Sequence, residues 1–231
     1  MMNKPKRIIA LLPMKANSTR VKGKNFRDLC GKPLFRWTLD ALLAVDDIDQ
    51  VVINTDARHI LAENNLAETD RILIRDRNPD ICGDHVSMNL IIQDDIRNVS
   101  SDVYLMTHTT NPLISSQTIR KALSMFLDAQ ESGSCDSLFS VNRFQSRFYS
   151  ASGMAINHDP ANLIPTQDLD PWFEENSCLY IFSQQSFDST NARIGLRPLL
   201  FETQPLESVD IDTPQDWQLA EALASSKLLN T

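Results

Sequence analysis

The chain has 231 residues, enough for one large domain with a complete hydrophobic core. Its 22 basic and 30 acidic residues give a net charge of −8, which disfavours a nucleic-acid-binding protein. No apolar run approaches the ~20 residues of a membrane span and the N-terminus lacks a hydrophobic signal segment, so the sequence predicts a cytoplasmic protein with no membrane partner. The four cysteines are scattered singly, a pattern typical of reduced thiols and not of a zinc site.

Short apolar runs alternate with amphipathic stretches along the chain. The apolar runs predict buried strands, and apolar residues at three- and four-residue spacing predict helices. This order predicts a Rossmann-like α/β fold, with a mostly parallel sheet, helices on both faces and a ligand crevice at the carboxyl ends of the strands. The predicted strands are 8–12, 50–54, 71–75, 102–106, 137–141 and 178–182. The predicted helices are 34–45, 58–67, one around 90–96, 115–129, and a last one that is capped by Thr213 and Asp216 and ends at about Leu229.

The whole chain, 1–231, is predicted to form a single domain. Its regular pattern loosens at about 142–176, where aromatic residues alternate with Gly153, Pro160 and Pro165. Insertions of this kind either cover an active site or exchange with a partner subunit.

Basic residues are concentrated near the N-terminus. The first 36 residues contain ten basic residues and one acidic residue, whereas the remainder contains 12 and 29. The loop 13–25, directly after the first strand, lacks the glycine spacing of a P-loop or of a dinucleotide fold. Its cations are Lys15, Arg20, Lys22 and Lys24. Together with Ser18 and backbone amides, they predict a triphosphate site that would stabilise charge on a phosphoryl group and on leaving pyrophosphate.

Two carboxylates precede the last predicted helix. Asp210 and Asp212 are two residues apart, so in an extended segment they project to the same side, roughly 7 Å apart along the backbone. Two hard oxygen ligands without histidine or cysteine select Mg²⁺ or Mn²⁺. The alternative is that Asp212 merely assists the cap of the helix.

Six segments in order resemble the acylneuraminate cytidylyltransferases. The opening Ala10-Leu11-Leu12-Pro13, the basic loop and Gly31-Lys32-Pro33-Leu34 are similar to the family's A-x-I-P, loop and G-K-P-L. The later segments are Val52-Ile53-Asn54-Thr55-Asp56, Arg77-Asn78-Pro79 to Asp84, His108-Thr109-Thr110-Asn111-Pro112-Leu113, Glu175-Asn176-Ser177-Cys178-Leu179-Tyr180-Ile181 and Asp210-Ile211-Asp212-Thr213. The Ser18-Thr19-Arg20 and Gly23-Lys24 pattern also resembles the 3-deoxy-manno-octulosonate cytidylyltransferases.

The resemblance implies a nucleotidyltransferase of the nucleotide-diphospho-sugar transferase type, with a protruding segment that forms a homodimer. Its activity would be transfer of CMP from CTP to the anomeric hydroxyl of a nonulosonic, sialic-type 2-keto sugar acid, with Mg²⁺ or Mn²⁺ and release of pyrophosphate. The implied catalytic residues are Lys15, Arg20, Lys24 and Asp212. The implied nucleotide-binding residues are Leu12, Pro13, Met14, Lys15, Ser18, Lys24, Asn25, Arg77 and Asp84. The implied sugar-binding residues are His108, Thr110, Arg147 and Tyr180, with Arg143 or Arg147 on the sugar carboxylate, and the implied metal ligands are Asp210 and Asp212.

Three positions depart from the family pattern. Lys15 replaces an arginine, Thr19 replaces a lysine, and His108 replaces a glutamine and adds a group that could titrate. Three alternatives stay open, of which weakened catalysis is the one suggested by Lys15 and Thr19. The sugar could be 3-deoxy-manno-octulosonate, the chain could bind CTP with weakened catalysis, or the D-x-D pair could belong to a glycosyltransferase.

Overall fold

The computed structural model describes residues 6–16, 18 and 20–226, and within these residues it contains a seven-stranded sheet and a separate two-stranded hairpin. The strands are β1 (Ile8–Leu11), β2 (Asp28–Leu29), β3 (Lys32–Pro33), β4 (Gln50–Thr55), β5 (Ile72–Asp76), β6 (Val103–Met106), β7 (Ser137–Phe144), β8 (Trp172–Phe182) and β9 (Pro198–Glu202). The helices are α1 (Leu34–Leu43), α2 (Arg58–Glu63), α3 (Met88–Asn98), α4 (Ser116–Glu131), α5 (Gln184–Thr190) and α6 (Pro214–Ser225).

The strand order across the main sheet is β5-β4-β1-β6-β8-β7-β9. The strands β5, β4, β1 and β6 pair in parallel, as do β7 and β9. Within this sheet, β8 is the one described strand that runs opposite to the others, and it pairs antiparallel with β6 and β7. The predicted mostly parallel sheet is therefore confirmed. The reversal of β8 was not predicted, because a short apolar run does not reveal the direction of its strand.

Helices cover both faces of the sheet, as predicted. The alternation of side chains along β1 directs Ile8 and Ala10 to one face, where they share a hydrophobic core with residues of α1 and α4. Ile9 and Leu11 face the opposite side and pack in a second core with residues of α3 and α5. β1 is buried on both faces, which explains why it appears in the sequence as a continuous apolar run.

The last helix packs on the β2–β3 hairpin, where Trp217 and Ile211 share a third core with Leu29 and Leu34. The predicted cap is confirmed, since Thr213 and Asp216 form a capping box. The helix ends at Ser225, earlier than predicted, and Leu229 lies outside the described residues. The hairpin, α5 and β9 were not predicted. The hairpin strands have two residues each, too few for a periodic pattern to emerge.

The segment 142–176 is more regular at its ends than the sequence predicts. β7 and β8 continue to pair through Asn142 opposite Glu174 and Phe144 opposite Trp172, so the irregular part is 145–171. Phe148 stacks on Trp172 with ring centroids 5.2 Å apart. The side chains Tyr149, Met154 and Leu163 are more than half exposed.

All four cysteines lie within the described residues and are free thiols, with Cys135 and Cys178 buried. Along the described chain, none of the helices combines the length and the apolar character that a membrane span requires.

Candidate active site

A cleft of about 250 Å³ opens at the carboxyl ends of β1, β5 and β6. This is the edge of a parallel sheet at which α/β proteins bind their ligands. Apolar side chains of Val86, Met88 and Ile91 form one side. The predicted site residues that line it are Pro13, Met14, Lys15, Ser18, Arg20, Lys24, Asn25, Arg77, Asp84, His108 and Thr110. The structure therefore brings most of the predicted nucleotide-binding residues together.

The basic loop is held against the sheet by several hydrogen bonds. The backbone N–H of Met14 donates to the carbonyl of Asn54 (3.0 Å), and that of Ala16 donates to Asp56 (2.7 Å). Gly23 has a φ of 61° and begins the 3₁₀ turn Lys24–Phe26, a left-handed conformation that favours glycine. This turn directs Lys24 and Asn25 inward, where both are buried.

Asn25 connects the loop after β1 to the loop after β6 through hydrogen bonds. Its Nδ2 donates to the backbone carbonyl of Lys15 (2.8 Å), and its Oδ1 accepts from the hydroxyl of Thr109 (2.7 Å). The side chain therefore fixes the loop after β1 to the loop after β6. Asn25 lines the cleft, but the two hydrogen bonds give it a positioning role that the sequence did not reveal.

Each of the three predicted catalytic cations contacts a carboxylate. The Nζ of Lys24 lies 2.5 Å from the backbone carbonyl of Ile211 and 3.3 Å from Asp212. Arg20 Nη1 lies 2.9 Å from the other carboxylate oxygen of Asp212. Lys15 pairs with Asp84, and this contact lowers the pKa of the Asp84 carboxyl. The predicted loop and the predicted aspartate segment thus meet at Lys24 and Arg20.

The segment with Asp210 and Asp212 docks beside the loop after β6, because the N–H of Ile211 donates to the carbonyl of Thr110 (2.9 Å). One carboxylate oxygen of Asp210 is buried and has no hydrogen-bond partner among the described residues. Burial raises the pKa of Asp210, a hydrogen bond with Thr110 partly offsets the rise, and the charge of Asp212 adds to it.

An unpartnered buried carboxylate oxygen near a second carboxylate fits a hard divalent cation such as Mg²⁺. The described residues include no group of three or more His, Cys, Asp or Glu side chains that could hold a metal ion. Asp210 and Asp212 would therefore supply only part of a coordination shell. Mg²⁺ commonly completes its shell with water and substrate phosphates, so this partial set fits the predicted role.

Arg77 is a buried residue that lines the cleft. Its guanidinium is buried and donates to the side-chain and backbone oxygens of Asn54 (both 2.8 Å) and to the carbonyl of Met14 (3.1 Å). Burial lowers the pKa of Arg77 from its ordinary value. Asn54 in turn donates to Asp95 (2.8 Å), whose pKa burial raises to about 6.

Sequence reasoning gave no role to Asn54 or Asp95. The available signal was a polar Asn54 after three apolar residues in the predicted strand 50–54. Such a residue needs a buried partner because an unpaired polar group inside a protein is costly.

His108 follows β6 and contacts Arg193, whose Nη1 lies 3.2 Å from Nε2 of the imidazole. Arginine can only donate, so Nε2 accepts and the neutral ring carries its proton on Nδ1. Burial is the largest cause that lowers the pKa of His108 to about 3, and the charges of Arg193 and Lys24 add to it. His108 is therefore neutral near pH 7 and gains a proton only in acid.

The neutral state of His108 predicts a stability that decreases in acid. An unfolded histidine has a pKa of about 6.5, so below that pH the unfolded chain binds a proton that the native ring, with its pKa of about 3, does not bind. The contribution is complete above about pH 6.5 and is lost as the pH falls towards 3. Between pH 7 and pH 5, we expect the wild type to lose about 2 kcal/mol more unfolding free energy than His108→Gln, as measured by urea unfolding. Equal losses in both proteins would contradict this assignment.

The residues that line the cleft do not include Leu12, Arg147 or Tyr180, which were predicted to bind the nucleotide or the sugar. Leu12 is buried in a core, and its backbone N–H donates to Val52 (2.9 Å). Arg147 lies in the irregular segment, where it donates to the carbonyl of Ile164 (2.6 Å). Tyr180 is buried on β8, and its hydroxyl donates to Glu175. Thr19, one of the three departures, lies outside the described residues.

Comparison with known proteins identifies the family. The chain is 28% identical to the CMP-N,N'-diacetyllegionaminic acid synthase of Legionella pneumophila, over 94% of this chain and 96% of that protein. It is 29% identical to the N-acylneuraminate cytidylyltransferase of Oncorhynchus mykiss over 93% of this chain, but it spans only 49% of that protein.

A solved CMP:2-keto-3-deoxy-manno-octonic acid synthetase complexed with CTP has the same fold, with a TM-score of 0.67, 15% identity and coverage of 96% of this chain and 100% of that chain. Residues 9–231 match the family model described as cytidylyltransferase. This match extends over nearly the whole sequence and agrees with the resemblance drawn from the motifs, and the chain therefore belongs to the cytidylyltransferase family.

Proposed function

We propose that the protein transfers CMP from CTP to the anomeric hydroxyl of a nonulosonic 2-keto sugar acid and releases pyrophosphate. The observation that carries this proposal is the contact between the basic loop and the aspartate segment, in which Lys24 and Arg20 line the cleft and both contact Asp212. This arrangement offers cations for phosphates and carboxylates for a divalent metal ion within one site. Both named curated relatives, although distant, are enzymes of this type.

In the proposed mechanism, the anomeric oxygen attacks the α-phosphorus of CTP and the bond to the β-phosphate breaks. Lys15, Arg20 and Lys24 bind the phosphates and stabilise charge on the leaving pyrophosphate. Asp210 and Asp212 would hold a Mg²⁺ or Mn²⁺ ion, which polarises phosphate oxygens when bound. Asn25 and Arg77 position the loop through their bonds to the backbone of Lys15 and Met14.

The sugar is proposed to lie beside His108, at the end of β6. A sialic-type acid is favoured over 3-deoxy-manno-octulosonate, since the curated relatives named above act on nonulosonic acids and the octonic acid synthetase supports only the fold. The exposed apolar side chains of the segment 145–171 favour a homodimer formed through that segment. The proposal includes action in the cytoplasm, where CTP is available.

A coupled pyrophosphate assay tests the proposal. The protein is incubated with CTP, Mg²⁺ and, in separate reactions, sialic, legionaminic, pseudaminic and 3-deoxy-manno-octulosonic acids. We expect pyrophosphate release that requires both CTP and one of the nonulosonic acids. Absence of release with every acid, together with absence of CTP binding in calorimetry, would refute the proposal.

A second candidate is a CTP-binding protein with weakened catalysis. It is favoured by one observation, namely that Lys15 and Arg20 are already paired with acidic side chains. This candidate predicts that CTP raises the melting temperature without any turnover. Sustained pyrophosphate release in the same assay would eliminate it.

A further inference from the structure

Arg193 is a cation near the cleft that sequence reasoning did not single out. It follows α5 and points between β6 and β8, where its side chain is only 19% exposed. Its Nη1 donates to Nε2 of His108 (3.2 Å), and its Nη2 lies 3.2 Å from a carboxylate oxygen of Glu175. Its guanidinium carbon lies 3.7 Å from the centre of the Tyr180 ring.

The environment holds this guanidinium in one orientation. Stacking on an aromatic ring and a hydrogen bond to a neutral imidazole restrict the plane of the group. Burial is the largest cause that raises the pKa of Tyr180, so the ring remains neutral and its hydroxyl donates to Glu175. Glu175 is more exposed than Arg193, at 42%.

The loop that carries Arg193 is also constrained. A Cβ added at Gly195 would lie 2.3 Å from Oδ1 of Asp136 and 2.4 Å from Oγ of Ser186, so a larger residue would force these side chains to move. The N–H of Gly195 donates to Ser137 (2.8 Å), and Asp136 accepts from the N–H of Leu196 (3.0 Å). These hydrogen bonds attach the loop that carries Arg193 to the start of β7.

We propose that Arg193 binds the carboxylate of the acidic sugar, in the position that the carboxylate of Glu175 occupies in the structure. This inference rests on the proposed function and names the residue that selects an acidic substrate. The Nη2 edge of the guanidinium already contacts one carboxylate, which shows that the geometry suits this ligand. Arg147, the residue expected from the sequence, donates instead to a backbone carbonyl in the irregular segment.

The chemistry of the substrate explains why this position matters. In a cyclised 2-keto sugar acid, the carboxylate and the attacking hydroxyl are attached to the same anomeric carbon. A residue that fixes the carboxylate therefore also fixes the nucleophile, and such positioning accelerates a two-substrate reaction. His108 lines the cleft and contacts Arg193, so a carboxylate held there brings the anomeric carbon to the edge of the nucleotide site.

Two substitutions distinguish a carboxylate-binding role of Arg193 from a purely structural role of its ion pair with Glu175. Arg193→Gln removes the positive charge, and we expect the dissociation constant of the sugar acid to rise about 10- to 100-fold. The affinity for CTP is expected to stay within about twofold of the wild type. Glu175→Gln removes the competing carboxylate and keeps an acceptor for Tyr180, and we expect sugar-acid binding to tighten about two- to fivefold. An ion pair with only a structural role predicts no tightening. The exposed Arg97, changed to Gln, is the matched control and is expected to behave as the wild type.

Calorimetric titration of the four free acids and of their methyl esters measures binding without requiring turnover. We expect the wild type to prefer the free acid of its substrate over the ester, and Arg193→Gln to lose most of that preference. If Arg193→Gln retains the preference, if Glu175→Gln does not bind more tightly, or if the wild type binds none of the acids, the inference is overturned. Pyrophosphate release is measured separately, so a failure of the transfer reaction is distinguished from a failure of this assignment.

Discussion

Asp212→Asn is expected to reduce kcat by at least about 100-fold while leaving the fold intact. The substitution removes a negative charge that the proposed metal ion requires. Loss of one preorganised electrostatic group commonly lowers the rate by about 10²- to 10³-fold. The side chain of Asp212 is 36% exposed, and exposed ion pairs such as the one with Arg20 contribute roughly 0–1 kcal/mol to stability. Turnover is measured by pyrophosphate release across a Mg²⁺ titration, and stability by thermal unfolding.

The control for this variant is Asp47→Asn, which changes an exposed acidic residue after α1 and is expected to have wild-type turnover. Normal Mg²⁺-dependent rates in Asp212→Asn would contradict a metal role for Asp212. A large decrease in melting temperature would instead indicate that the carboxylate of Asp212 acts mainly by holding Lys24 and Arg20 in place.

Lys24→Met is expected to weaken CTP binding and also to destabilise the fold. Lys24 is 7% exposed, and its Nζ bonds the carbonyl of Ile211 and the carboxylate of Asp212. Methionine has a similar length but cannot donate, so a buried acceptor loses its partner at a cost of about 1–3 kcal/mol. The lost phosphate contact is expected to raise the dissociation constant of CTP about 10- to 100-fold. Urea unfolding and calorimetry measure the two effects.

Lys22→Met is the matched control, since Lys22 lies in the same loop but is exposed. We expect it to change stability by less than about 0.5 kcal/mol and to change CTP affinity far less than Lys24→Met does. Equal CTP affinities in the two variants would show that Lys24 is a structural residue without contact to the nucleotide.

Much of the fold is predictable from sequence, because buried strands and amphipathic helices produce local patterns. The helix predicted at 115–129 is α4, which buries Ile119, Ala122, Leu123 and Phe126 at three- and four-residue spacing, and the predicted cap at Thr213 is a capping box. The basic loop after β1 was predictable for a similar reason, since the end of a parallel strand defines one edge of the sheet.

The remaining parts of the site depend on contacts between distant segments. Arg193 is 85 residues from His108 in the chain, and no local pattern connects them. Asn54 and Asp95 are joined only when α3 packs on β4. The neutral state of His108 has the same origin, because it follows from burial and from cations supplied by two other segments. A sequence shows the residue types but not these pairings.

The most direct test of the proposed transfer follows the α-phosphorus of CTP. The protein is incubated with Mg²⁺, [α-³²P]CTP and the sugar acid that supports pyrophosphate release, and the products are separated by anion exchange. We predict that the label appears in a CMP-sugar in a 1:1 ratio to unlabelled pyrophosphate. Label found only in free CMP, or in no product at all, would contradict cytidylyl transfer to a sugar acid.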